Sequence, residues 1–437
     1  MKIKKIIALA LVLVVAVAAS GCTTYDNFKH AFLEENTGET APTIKIGVFE
    51  CLTGQYKSFG KEEAAGIELA HKLYPKLLGK DVELIYADNH SNMYDAVPVM
   101  QELVSNGPQV VLGSYGEVIT MAASDVLVAN SIPGISISCS NPMLTANNSF
   151  CFTTTFGEPR QGEALAEYAV EALNRSNFAV IKAANDDIAV PITKRFTNRI
   201  KKLASSLKEE DEVYAEGVRI MSTHDIDPNG TDYSVVIKEM MDSGVQTVFM
   251  PTSAILAKTF MEQCFSIGYY PMFIGISDWN TDDMARFLKK NVDSNVAFTT
   301  VQATENTEMS KTFIEAFRKE YGDYATPTGA MANAFDSYLL AMRAIQDAFE
   351  KVSSTPLEKQ MEAATTNAAK MAVKAEYEKA MKAGIPTGVQ IRDALRNIND
   401  FEGASGILSY DGDNEVTKSV IIRRYYRGNL VADYIVE

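Results

Sequence analysis

The chain has 437 residues and a formal net charge of −15, with 41 Lys and Arg against 56 Asp and Glu. A balance this acidic excludes a nucleic-acid-binding protein, which needs basic faces, and an untethered protein of anionic lipid surfaces. The length exceeds the roughly 250–300 residues at which one hydrophobic core stops growing, so two lobes are expected.

The first stretch is a leader. Lys2, Lys4 and Lys5 precede an unbroken apolar run over 6–19, and Ser20-Gly21-Cys22 follows. A charged end, a short apolar core and small residues make a secretory signal rather than a fold element. The run is also shorter than the roughly 20 residues that cross a bilayer as a helix. The small-small-Cys ending resembles a bacterial lipoprotein signal, which implies removal of residues 1–21 and lipid on Cys22; an ordinary cleaved signal with an unmodified Cys22 is the alternative. On the lipoprotein reading the protein is extracytoplasmic and membrane-anchored. One acyl chain holds marginally, at about 0.8 kcal/mol per buried methylene, and several hold firmly. Residues 22–42, with Asn36, Thr37, Gly38 and Pro42 and no helical or strand period, read as a linker.

From residue 43 strands and helices alternate. Strand patterns fall over 44–49, 82–87, 110–113 and 135–138, and helical spacing over 60–74, 93–105 and 117–128. A second set follows: helix 158–173, strand 178–181, helix 190–206, strand 213–220, helix 234–242, strand 247–250, helix 254–267 and strand 272–276. Such alternation predicts parallel sheets covered on both faces, here two doubly wound α/β lobes of similar size.

The last third departs from this rhythm. Helices are expected over 309–321 and 330–351, and over 356–383, which is rich in Ala, Lys, Glu and Met. Gly384-Ile385-Pro386 ends that run, and helix 388–397 follows. Residues 406–410, 411–414 and 419–426 read as strand, turn and strand, and 430–436 as a last strand.

Chemistry-bearing motifs are mostly missing. His30, His71, His90 and His224 are scattered without helical ligand spacing, so no metal site is expected. There is no Gly-x-Ser-x-Gly elbow and no phosphate loop. Ser205 and Lys208 fit Ser-x-x-Lys but sit at the polar end of a helix. Asp225-Ile-Asp227-Pro-Asn229-Gly230 opens like a calcium loop, yet its twelfth position holds Val236 where a Glu is needed, so a plain turn is the reading. Past the leader, Cys51, Cys139, Cys151 and Cys264 allow three full pairings, and spacing does not choose among them or against free thiols. No acid, base and nucleophile converge, so the chain is not read as an enzyme, and no cofactor is implied.

Several stretches carry a family likeness. Ile44-Lys-Ile-Gly-Val-Phe-Glu-Cys-Leu52-Thr53-Gly54, Phe59-Gly60 and Gly66-Ile-Glu-Leu-Ala70 resemble the opening of the leucine/isoleucine/valine-binding proteins, type I periplasmic solute-binding proteins of ABC transporters. Val111-Leu-Gly113, Ala123-Ser124, Ile132-Pro133, Ser138-Cys-Ser140-Asn141-Pro142-Met-Leu-Thr145, Phe152-Thr-Thr-Thr155, Gly162 and Ala166 continue the likeness. Thr231-Asp232-Tyr233-Ser234, Asp278-Trp279, Asp400-Phe-Glu-Gly403, Gly406-Ile-Leu-Ser-Tyr410 and Lys418-Ser-Val-Ile421 complete it, in order, over about 43–437. The resemblance implies two lobes joined by three crossovers, expected near 152–156, 298–302 and 406–410. Lobe one is then 43–155 plus 301–405, and lobe two 156–300 plus 406–437, with a ligand in the cleft between them. Residues 356–383 look like an added helix relative to the family's shorter link.

The same resemblance implies ligand-contacting positions at Phe59, Tyr115, Gly116, Glu117, Ser138, Cys139, Ser140, Ile188, Ser253 and Asp278. Glu117 stands where the family offers a hydroxyl to the ligand carboxylate, and Asp278 is the candidate partner for the ligand ammonium. Ile188 and Ala330 replace aromatic walls, which widens the cleft. Glu117 and Asp278 together favour a cationic or amide-bearing ligand, while Glu117 at a helix start also suits the helix dipole, and Asp278 also suits a helix cap. Tyr115 serves packing or stacking, and Trp279 anchors lobe two. The function implied is capture of an amino acid or a related small polar nitrogen compound for an ABC importer, by a monomer that hands it to permease and ATPase subunits. A ligand-sensing module of a signalling system is the alternative.

Overall fold

The computed structural model describes residues 43–436 apart from 147, 187–188, 208–215, 301–306, 324, 326, 363 and 411–413; the leader, Cys22 and the linker 22–42 lie outside the described residues. Two large sheets organise the chain. The first has the order β2-β3-β1-β4-β5-β6, built from β1 (Ile44–Glu50), β2 (Lys76–Leu77), β3 (Lys80–Asp88), β4 (Val110–Leu112), β5 (Gly134–Ser136) and β6 (Cys151–Thr153). Only the short β2–β3 pair is antiparallel.

Ile44, Ile46 and Val48 of β1 project to one face, where they pack with helix α1 (Lys57–Leu73) and the long later helix 329–354. Phe49 and Val111 project to the other, against helices α2 (Met93–Ser105) and α3 (Glu117–Asn130). A strand covered on both faces needs apolar residues on both, and IKIGVF supplies them. Helices α1 and 329–354 approach so closely that a Cβ on Gly66 would stand 2.4 Å from the Met331 carbonyl oxygen.

The second sheet has the order β16-β15-β11-β10-β9-β7-β8. Strands β7 (Phe178–Ala183), β8 (Ile220–Ile226), β9 (Thr247–Phe249), β10 (Met272–Gly275) and β11 (Asn295–Thr300) run parallel. β15 (Val420–Tyr426) and β16 (Asn429–Val436) close one edge antiparallel. Of the expected strand at 213–220, residues 213–215 lie outside the described residues, 216–219 are not strand, and β8 begins at Ile220. As an edge strand it carries Thr223, His224 and Asp225, polar residues that give no apolar signal. β11, read from sequence only as part of a crossover, is an interior strand.

Two further expectations are corrected. The single helix over 356–383 is two helices, Leu357–Glu362 and Asn367–Ala383. The second starts at a Thr366 cap whose side chain accepts from the Ala369 N–H at 3.1 Å. The third crossover also lies later than 406–410. Leu408, Tyr410 and Val416 pack in the first lobe's core, in or beside a small antiparallel sheet of β12 (Phe401–Gly403), β13 (Gly406–Ser409) and β14 (Thr417–Lys418). The chain enters the second sheet at Val420. The Tyr410 hydroxyl donates to the Thr153 carbonyl, and the Asn414 amide to the carbonyls of Asn148 and Cys151, which ties this segment to β6. Cys51, Cys139, Cys151 and Cys264 are all free and buried. The Asp227–Gly230 segment is a turn, closed by the Gly230 N–H on the Asp227 carbonyl. Among the described residues no helix is long and apolar enough to cross a membrane, and no acid, His and Cys group can hold a metal.

Where the lobes meet, Lys418 is buried. Its ammonium donates to the Thr154 carbonyl (3.3 Å), Asn333 Oδ1 (2.9 Å) and Ser405 Oγ (2.6 Å). Ser405 donates in turn to the fully buried Asp336, which also accepts the backbone N–H groups of Ala404 and Ser405. Burial lowers the Lys418 ammonium to about 8 and raises the Asp336 carboxyl to about 6, the facing charge opposing each shift.

Removing one partner of such a group leaves a buried charge uncompensated. Asp336→Ala is expected to cost about 3–5 kcal/mol, read from the urea unfolding midpoint. Lys418→Met is expected to cost less, because Asp336 then takes a proton; an equal or larger loss would show that the ammonium's own hydrogen bonds dominate.

Candidate functional site

The carboxyl ends of the parallel strands in both sheets face one another, and the loops there enclose a cleft of about 490 Å³. Small-molecule sites form at such strand ends and between domains. A concavity of about 540 Å³ lies elsewhere, on the outer edge of the first sheet around His71, Lys72 and Tyr86, but one lobe alone lines it.

The first lobe contributes two loops. After β4 the chain turns through Gly113 and Gly116, both at positive φ, into α3. A Cβ on Gly113 would stand 2.1 Å from the Phe49 carbonyl oxygen, so this loop lies directly on β1. Tyr115, Gly116 and Glu117 line the cleft. Glu117 is the first residue of α3, so its carboxylate complements the helix dipole and borders the cleft together. Tyr115 stacks on the exposed Phe59 with ring centroids 4.5 Å apart and tilts against Tyr56. After β5, Ser138 and Ser140 line the cleft, and Ala330 and Asn333 join from helix 329–354.

The second lobe supplies Phe156, Gln161, Ile192, Ile276, Ser277 and Asp278. Gln161 is buried, and its Oε1 accepts from the Ser277 N–H (2.9 Å) and the Thr299 hydroxyl. It thereby fixes the turn that carries Asp278. Trp279 anchors the turn from beneath, fully buried, its indole N–H donating to the Thr252 carbonyl at 2.8 Å. The Asp278 carboxylate opens to the cleft; partial burial, then the nearby Asp186, raises its pKa. No Lys or Arg is among the described residues lining the cleft.

Of the expected positions, the cleft brings together Tyr115, Gly116, Glu117, Ser138, Ser140 and Asp278. Phe59 stands behind Tyr115 rather than in the wall. Cys139 points into the core beside Phe49 and Leu144, because alternation at the strand end turns it away from its serine neighbours. Ser253 is exposed and caps helix 254–266, accepting from the Leu256 N–H. Ile188 lies outside the described residues.

Two carboxyl groups were missed by sequence reasoning. Glu50 ends β1 and Glu63 lies on the buried face of α1; both are fully buried. Glu50 Oε2 accepts the N–H groups of Tyr115 (3.1 Å) and Cys51 (3.3 Å). Glu63 Oε1 accepts the Ser138 hydroxyl. The only signals were a carboxylate at the end of an apolar strand and one in phase with Gly60, Ala64 and Ile67. Gln161 and Asn333 carried no signal at all.

The family profile described as "Periplasmic binding protein" matches residues 43–426. The Leu/Ile/Val-binding protein homolog 2 of Brucella abortus (strain 2308) is 22% identical over 216 residues, 48% of this chain and 54% of the relative. The chain thus spans about half the length of the curated relatives it matches. Among solved structures, the branched-chain amino acid transporter substrate binding protein LivJ from Streptococcus pneumoniae, in complex with isoleucine, is 22% identical at a TM-score of 0.61, covering 90% of this chain and 99% of that one. A solute binding protein of an ABC transporter from R. palustris, in complex with 4-hydroxybenzoate, is 16% identical at a TM-score of 0.60, covering 90% and 97%.

Gln161→Ala leaves the Thr299 hydroxyl and the Ser277 N–H without their acceptor. The expected cost is about 1–3 kcal/mol, seen as a lower thermal midpoint; an unchanged midpoint would mean that water replaces the amide.

Proposed function

The chain belongs to the periplasmic binding protein family, and on that premise we propose that it is the extracytoplasmic solute-binding component of an ABC importer. It captures an amino acid, branched-chain-like, or a related small polar nitrogen compound. The observation that carries the reading is the cleft itself: polar groups from both lobes converge on a space of small-molecule size. Lobe one comprises 43–155 and the segment from 301 into the small sheet, and lobe two 156–300 and the final strands. Ligand touching both lobes favours the closed form by its differential affinity, and the permease and ATPase read that form.

The charges of the wall support an amine. Asp278 receives the ligand ammonium, while the N-terminal turn of α3 suits a carboxylate. A solved protein of the same fold holds 4-hydroxybenzoate. An aromatic acid would meet Glu117 and Asp278 here with no basic side chain among the described lining residues to balance it. The monomer is tethered by lipid on Cys22, through the linker 22–42.

A thermal-shift screen against amino acids, amines and aromatic acids tests the function. A ligand at 100 times its Kd stabilises by about 2.7 kcal/mol, and Asp278→Asn is expected to weaken binding by about 2–5 kcal/mol. Absence of stabilisation by any small molecule would sink the reading. Separately, Cys22→Ala is expected to move the protein from the membrane fraction to the soluble fraction; persistence in the membrane would rule out the lipid tether.

A further inference from the structure

Behind the first-lobe wall the fully buried Glu50 and Glu63 carboxyl groups lie beside each other, near enough for each to act on the other's charge. Their outer oxygens are occupied, Glu50 Oε2 by the N–H groups of Tyr115 and Cys51 and Glu63 Oε1 by the Ser138 hydroxyl. Glu50 Oε1 and Glu63 Oε2 have no donor among the described residues. Two buried carboxyl groups side by side repel each other as anions, which favours the state that holds one proton between them. The Ser138 hydroxyl has one hydrogen, and it points at Glu63. Ser138 therefore shows the cleft its lone pairs, with the acid pair one hydroxyl away.

We propose that the Glu50–Glu63 pair sets the specificity of the cleft: it holds one shared proton in the ligand-free protein, directs the cleft to ligands whose protonated amine bridges Ser138 in the first lobe and Asp278 in the second, and releases that proton to solvent as the amine is captured. The inference rests on the reading of the chain as a small-molecule-binding protein. The step balances, since the amine keeps its own protons and one proton leaves the buried pair.

The surroundings of the pair support the exchange. Burial and mutual repulsion raise Glu50, and burial raises Glu63 to about 7 against the lowering effect of Glu50 and Ser138. The charged or titratable groups facing them are Glu62 on the same helix, Cys51 after β1 and Tyr115 in the next loop; none is basic. Among the described groups facing the pair none is cationic, so a ligand cation would bring the positive charge. Ionised Glu63 predominates above that range, so cation binding strengthens as pH rises through it. One proton released per ligand gives a limiting slope of about tenfold per pH unit.

Glu50 and Glu63 act through Ser138, so the pH profile is the deciding readout. Isothermal titration of the detergent-solubilised full chain would use three probes, L-isoleucine, putrescine and 4-hydroxybenzoate. Each would be run on both sides of neutrality and in two buffers of different ionisation enthalpy. An amine-bearing probe is expected to bind more tightly at the higher pH, with about one proton released. Glu63→Gln is expected to flatten the profile and abolish the release. Ser138→Ala, which leaves the pair in place, is expected to reduce the slope, and it decides the matter if the first variant does not fold. Amine binding with a flat profile, an unchanged slope in both variants, or binding of 4-hydroxybenzoate alone would overturn the inference while leaving the solute-binding function intact. No binding by any probe would overturn the inference and count against that function.

Discussion

The passages between the two lobes gather round one buried cation. An ammonium taken out of water must be met by acceptors on every side, and Lys418 finds them only where the chain passes between the lobes. Thr154 belongs to the first passage, Lys418 itself to the last, and Ser405 to the small sheet between them. The fourth participant, Asn333, also borders the cleft. The joint and the binding surface thus share a side chain. Each lobe carries its own core on both faces of its own sheet, so an opening motion need not disturb either core. On the proposed function the motion would fall instead on the few passage residues, as in hinge closure.

The alternation of strand and helix made most of the fold legible, because a sheet covered on both faces demands apolar runs such as IKIGVF at regular intervals. It failed where that demand lapses. β8 is an edge strand and carries Thr223, His224 and Asp225, so its polar residues gave no strand signal past Ile220. The small sheet of β12, β13 and β14 is too short for periodicity, and its packing on β6 moved the third passage to Lys418. Helix propensity over 356–383 says nothing about a break that is fixed by a threonine cap.

The site was legible to the extent that it sits on loops at strand ends. Tyr115 to Glu117, Ser138, Ser140 and Asp278 all occupy such loops and all line the cleft. Cys139 did not, since neighbouring residues at a strand end face opposite ways. Glu50 and Glu63 could not be read as partners: separated by thirteen positions, they meet only because α1 lies on β1, and in a sequence a glutamate most often means a solvated surface. Gln161 is invisible for the same reason, its role depending on Thr299 far along the chain.

The distribution of charge then fixes how the cleft works. Glu117 lies on one wall with the buried pair behind it, and Asp278 on the other, with Asp186 close to it. Bringing these walls together removes water from between like charges, which strengthens their repulsion as the local dielectric falls. On the proposed function, an unliganded cleft of this composition resists closing. A ligand cation between Ser138 and Asp278 reverses the sign of that interaction, and the same loss of water then strengthens attraction. On that reading the differential affinity that closure requires follows from this reversal, because the cation gains most from the state in which both acidic walls reach it. On the same reading a guest of equal size without an ammonium group fills the same space and leaves the repulsion in place.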